Sequence, residues 1–274
     1  MRRLLASLMA VVVLAPLASA QAPQLKWTAG QTLLYRAEVS TVALDQVGDN
    51  KSETKSVVRA TKRWSVKEVD KTGTATLTLS LASMYHQRTT PSGDVLVYDS
   101  ANPDKSDPHL KKALEGYLDT PLATLRIDAV GRVVEVEKSK SPAAGFENEL
   151  PFLAVLPVAA LKPGLEWQRE YKITLGPPLG TGEKYDAVQK YACKTATADA
   201  ATVSLTTELK AAPKAQADAI PLWQFLPAGE LTYDLKNGRL HSARLTVERE
   251  LRGHQGENSF CRFSSTQTVT YVEK

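Results

Sequence analysis

Two cysteines and four histidines are all that this 274-residue chain offers of the residues that most often hold metals. The histidines, His86, His109, His241 and His254, stand far apart in sequence, and neither H-E-x-x-H nor a Cys/His cluster with zinc spacing occurs. No metal site is expected. Cys193 and Cys261 do not form a CxxC pair, which argues against thiol-exchange chemistry. There is no G-x-S-x-G and hence no nucleophile elbow. The glycine- and proline-rich stretch from Pro177 to Gly182 lacks the lysine and the strand-to-helix setting of a phosphate-binding loop. Ser52-Glu53-Thr54-Lys55 and Lys71-Thr72-Gly73 match short penicillin-recognising strings, but one strand separates them where that fold needs a large helical region. No catalytic residue and no cofactor is expected.

Neither sign of charge dominates. Lysine and arginine number 34 against 30 acids, and they are scattered rather than gathered into a stripe. Nucleic acid is excluded as a partner on that ground. A polybasic hold on an anionic membrane is unsupported for the same reason. Beyond residue 20 no apolar run approaches the length of a membrane span.

What the chain has first is an export signal. Arg2 and Arg3 are followed by an almost wholly apolar run from Leu4 to Leu17, and Ala18-Ser19-Ala20 supplies small residues for cleavage before Gln21. Residues 1–20 are read as a signal peptide, residues 21–274 as one mature β domain. The expected location is secreted, periplasmic or extracellular. Loss of Arg2 and Arg3 takes the formal charge from +4 to about +2. In an oxidising compartment an even cysteine count favours a Cys193–Cys261 disulfide, worth roughly 4 kcal/mol through its long loop. Two buried free thiols are the alternative.

Alternation is the main signal in the mature chain. In Thr74 to Leu81 leucines take one face and hydroxyl residues the other, which is the period of a strand with one buried face. The pattern recurs in Leu33 to Val39, Trp167 to Leu175, Val203 to Leu209 and Ala243 to Leu251. Turn signals separate the runs, Asn237-Gly238 being the strongest. The predicted class is mainly β: an antiparallel, strongly curved sheet or a barrel. One helix is expected at about 107–119, with Asp107 as its cap and Pro108 at its first position. On the strand before Leu251, His241 alternates onto the face of Ala243 and Leu245, where a half-buried, hydrogen-bonded histidine is the ordinary reading.

The two halves echo each other in order. Gly30 to Arg36 corresponds to Gly164 to Glu170, Lys62 to Lys67 to Gln189 to Lys194, Ala75 to Leu79 to Ala201 to Leu205, and Gly93 to Asp99 to Gly229 to Asp234. This predicts two pseudo-repeated meanders, about 27–137 and 164–273. Two apolar, proline-bounded segments lie outside the strands, Phe146 to Leu161 and Ile220 to Leu226. Segments this greasy must pack against something. From them come the candidate ligand-binding residues Phe152, Leu156, Trp223 and Phe225.

With a Gly-x-x-Leu-x-Tyr opening at Gly30 to Tyr35, Pro163-Gly164-Leu165-Glu166-Trp167 in the middle and the Pro177 to Gly182 loop, the chain resembles an uncharacterised class of exported bacterial β-rich proteins. In architecture it is similar to periplasmic lipoprotein carriers, which bend an antiparallel sheet around a hydrophobic cavity. The second resemblance concerns fold, and fold does not fix function. The expectation is an exported, non-enzymatic envelope protein that binds a hydrophobic ligand or acylated partner, with a lipid or an envelope protein as its partner. The alternative is a structural or protein-interaction module without a small ligand. A hydrolase would require His241 to meet Glu248 or Asp234 in a cleft.

Overall fold

A computed structural model describes residues 22–140, 146, 150–152 and 154–273. The proposed signal peptide lies outside the described residues. Six strands come from the first half: β1 (Thr32–Val47), β2 (Asn50–Val69), β3 (Ala75–Thr89), β4 (Val95–Asp99), β5 (Ala123–Ile127) and β6 (Val133–Ser139). Six come from the second: β7 (Glu166–Leu175), β8 (Glu183–Ala196), β9 (Ala200–Leu209), β10 (Ala228–Asp234), β11 (Arg239–Arg252) and β12 (Ser259–Val272). All join one antiparallel sheet in the order β6-β5-β3-β2-β1-β12-β11-β10-β9-β8-β7, with β4 paired to the outer part of β3. The first strand thus pairs with the last, Leu34 opposite Val272 through Val47 opposite Ser259. The sheet is not closed: among the described residues β6 and β7, neighbours in sequence, end the strand order, and β4 pairs with β3 alone.

The sheet is strongly rolled, and two pairs of consecutive residues show it. Leu25 donates its N–H to Ala129 O at 2.7 Å, in the β5–β6 turn, while Lys26 donates to Gly238 O at 2.9 Å, in the β10–β11 turn. In the sheet order β5 and β10 are six strands apart. At about 4.8 Å per strand a flat sheet would separate those turns by about 29 Å. Likewise Leu222 packs with Tyr171, Ile173 and Leu175 of β7, and Trp223 packs with Val247 of β11 and Cys261 of β12. Both belong to a 3-10 segment, Gln216–Phe225, that crosses the concave side.

Inward residues follow the predicted alternation. Ala201, Val203, Leu205 and Thr207 of β9 are buried and point with Leu231 and Tyr233 of β10 to the interior. The main core joins Leu33, Tyr35, Trp64, Leu77 and Leu125 of the first half to Tyr191, Leu205 and Leu245 of the second. Phe152 fills the middle, edge-on to Trp27 at 5.8 Å and to Trp64 at 4.9 Å. Residues 22–28, an N-terminal strap, and the segment around Phe152 therefore occupy the concave side of the rolled sheet at this end.

The predicted helix is shorter than expected. Its α-helical part, α1 (Pro108–Leu114), has Asp107 as cap, accepting from the N–H groups of His109 and Leu110. Glu115–Tyr117 continues as a 3-10 turn. Gly116, a poor helix former, falls in that turn.

The expected Cys193–Cys261 disulfide does not form: both cysteines are buried and free. Cys193 lies on β8 and Cys261 on β12, four strand positions apart in the sheet. A disulfide needs Cα atoms within about 7 Å. Both thiols lie inside, as in the alternative of two buried free thiols, opposite different partners: Val203 for Cys193, Asp45 and Leu251 for Cys261.

Candidate functional site

A concave surface lies between β6 and β7, the two ends of the strand order. Residues 150–152 and 154–165 lead from the core back to β7 and line the space between these strands. They are pinned at both sides: Leu156 N–H donates to Val130 O, and the Trp167 indole N–H donates to Val155 O, each at 2.8 Å. Gly131 permits the first contact. Its φ is +94°, and an added Cβ would meet Ala154 O at 3.3 Å and Leu25 Cδ1 at 3.2 Å. Trp167 is stacked on Tyr191 of β8, centroids 5.2 Å apart and planes 9° apart.

This seam holds an open groove of about 550 Å³. Its apolar wall is made by Val133, Val155, Leu156, Pro157, Val158 and Trp167. Val158 is 80% exposed, an unusual state for a valine beside an apolar wall. Arg132, Arg169 and Glu170 bring polar groups to its lining. The volume falls within the range of about 300–1,000 Å³ usual for small-molecule pockets.

Behind Arg169 lies a buried polar row on the inner face. Arg169 of β7 is opposite Gln189 of β8, and Gln189 is opposite Thr207 of β9. Gln189 Oε1 accepts two hydrogen bonds, from Arg169 Nε at 3.0 Å and from the Tyr191 hydroxyl at 2.6 Å. Burial pushes the Tyr191 phenol up to about 12, although Arg169 and a Val155 backbone hydrogen bond act against it. It is therefore a neutral donor at ordinary pH. Gln189 and Thr207 are almost fully buried, yet Gln189 Nε2 and Thr207 Oγ1 have no hydrogen-bond partner. Sequence reasoning missed this row. The available signal was register: Gln189 alternates with Ala187, Tyr191 and Cys193, an inward set on β8.

The four predicted ligand residues are not brought together. Phe152 is 2% exposed in the core interior. Leu156, also buried, forms groove wall. Trp223 and Phe225 sit on the 3-10 segment, Trp223 against Val247 and Cys261, and Phe225 against the Tyr171–Ile173–Leu175 cluster.

His241 departs from its expected orientation. The β10–β11 register shifts between Thr232 and Tyr233, so that Thr232 faces Ser242 and Tyr233 faces Leu240. That irregularity puts Leu240 inside and leaves His241 exposed. Asp234 is paired instead with Arg239, at 3.0 Å, and accepts from Asn237. Among the described residues no three His, Cys, Asp or Glu side chains group as a metal would require. Among them, too, no helix is long and apolar enough to cross a membrane.

No family model matches the chain, and no curated protein matches it significantly. Among solved structures it is similar to lipovitellin, described in terms of lipid–protein interactions, at 12% identity and a TM-score of 0.49. That alignment covers 90% of this chain and 26% of the other, so the chain spans about a quarter of lipovitellin's length. It is also similar to DynF of the dynemicin biosynthesis pathway of Micromonospora chersina, at 11% identity and a TM-score of 0.26, over 97% of this chain and 94% of that one. An outer membrane channel from Pseudomonas putida F1 aligns at 9% identity and a TM-score of 0.22, over 94% and 100% of the two chains. No function is transferred from likenesses this remote.

Proposed function

We propose that the chain is an exported, non-enzymatic envelope protein that holds the apolar part of a lipid or acylated partner in the groove between β6 and β7. The observation that carries this reading is the groove itself: an apolar wall with exposed Val158, at the place where the rolled sheet stays open. Of the four candidate residues, Leu156 belongs to the ligand site. Phe225 packs behind it against Tyr171, a lining residue, while Phe152 and Trp223 lie apart from it. Export by residues 1–20 and the duplicated meander are parts of the same proposal. The duplication is supported by strand order, since β1 to β4 and β7 to β10 each run as neighbours in sequence.

Native mass spectrometry of the mature protein, purified gently from its own envelope fraction, tests the reading. A discrete added mass that leaves as lipid on solvent extraction, and is lost in Val158→Asp, is the expected result. A bare protein mass with no uptake of added lipid overturns it. One observation favours the protein-interaction alternative: among the described residues, ten-residue β7 has a strand partner on one side only. Such an edge can accept an extended segment of another polypeptide. Protein rather than lipid mass in the same experiment would favour that reading.

A further inference from the structure

We propose that Gln189 and Thr207 form a polar subsite at the inner end of this groove, and that the ligand is a single-chain acyl lipid whose carboxylate oxygen they receive. The inference rests on the groove reading and names its ligand class. Gln189 and Thr207 are direct cross-strand partners, so their side chains leave the same face of the sheet about 5 Å apart at Cβ. The orientation of the amide is fixed. Its oxygen already accepts from Arg169 Nε and the Tyr191 hydroxyl, so the NH₂ group is the end left over. A threonine hydroxyl rotates to suit its partner. Two donors therefore stand side by side, both buried and both unpartnered. One acceptor oxygen between them would satisfy both.

The row is joined to the groove at two points. Arg169 lines the groove and donates to Gln189, which places the amide one hydrogen bond behind the groove wall. Tyr191, whose hydroxyl donates to Gln189, is stacked against Trp167, another wall residue. A chain lying along Val158, Leu156 and Val155 thus leads toward the two donors. Leaving a buried donor unmatched costs free energy in the unliganded protein, and a ligand oxygen recovers it. A hydrocarbon without a head group gains nothing there. This is the logic by which a buried polar pair selects among ligands of equal apolar length.

Two probes separate the parts of the argument. Palmitate carries a carboxylate; N-phenyl-1-naphthylamine is apolar and has no oxygen. Both are titrated into the full mature protein and into Gln189→Met and Thr207→Val, which keep shape and remove the donors. The expected result is that each variant binds palmitate about tenfold more weakly and the amine unchanged. Retained amine binding reports an intact groove. Thr207→Val also removes an unpaired hydroxyl, so its melting temperature without ligand should equal or exceed that of the parent; this variant carries the test if Gln189→Met fails to fold. Palmitate affinity unchanged in a folded variant overturns the subsite and leaves the pair to a buried water. Failure of both probes to bind the parent overturns the groove reading itself, and the subsite with it.

Discussion

The ring of Phe152 meets the ring of Trp64 edge-on, with 4.9 Å between centroids and 78° between planes. Trp64 is on β2, while Phe152 belongs to the segment that leads from β6 to β7. The contact therefore fastens the inter-edge segment to the centre of the first half. Both rings are almost fully buried, so truncation leaves a cavity that the rolled sheet cannot collapse. Phe152→Ala should cost about 3–5 kcal/mol in urea unfolding. A loss under about 1 kcal/mol would mean that the segment does not hold the core together.

Gly238 carries a second, independent fastening. Its φ is +60°, and an added Cβ would meet the Lys26 N–H nitrogen at 2.7 Å and Gln24 O at 2.8 Å. Backbone atoms of the strap cannot move aside as a flexible side chain can. Gly238→Ala should destabilise by more than about 1 kcal/mol and free residues 22–28. The check is limited proteolysis with mapping of the first cut. Cleavage that starts elsewhere, at parental rate, would show that the strap docks without Gly238.

Much of this fold was legible in local pattern, and the reasons for the rest are physical. Thr74 to Leu81 and Val203 to Leu209 alternate because one face of each strand is buried, and that imprint is local. Asp107-Pro108 marks a helix start for an equally local reason. The pairing of Leu34 with Val272 leaves no such mark, because any amphipathic strand could fill either place. The same limit hid the distance between Cys193 and Cys261. His241 was misplaced by one irregularity in register, which exchanges the faces of a strand. As for the site, apolar Phe146 to Leu161 was readable as a packed segment, and Leu156 within it. The Gln189–Thr207 pair was not, because a lone glutamine in a strand carries no sign of which strand it will face.

The unbridged cysteines give a simple test. Burial pushes both thiols up, with the Asp45 carboxylate adding to the effect at Cys261. Thiolate, the reactive form, is therefore scarce, and neither sulfur is open to solvent. A disulfide reagent should find two thiols per chain after unfolding and almost none before. Electrophoretic mobility should be the same with and without reductant. Faster migration of the unreduced protein would mean that the strands carrying Cys193 and Cys261 approach each other in a way this sheet order forbids.

Three inward tyrosines set the alkaline limit. Burial is the largest influence on Tyr35, Tyr191 and Tyr233, and it raises all three phenols; Tyr191 is pushed up to about 12. In an unfolded chain each phenol ionises near pH 10. A proton held more tightly in the folded state gives stability that is complete below about pH 10 and is lost as pH rises through the folded value. For Tyr191 alone the loss should amount to about 2–3 kcal/mol by about pH 12. Urea unfolding between about pH 8 and 12 should show the midpoint beginning to fall at about pH 9, where the thiols of the unfolded chain ionise, and falling more steeply above about pH 10 as the phenols follow. Tyr191→Phe removes its hydrogen bond to Gln189, at a cost of about 1 kcal/mol near neutral pH. The variant should nevertheless lose less stability than the parent across the alkaline range. Parallel curves for parent and variant would place the Tyr191 hydroxyl in water, and with it the row that leads to Thr207.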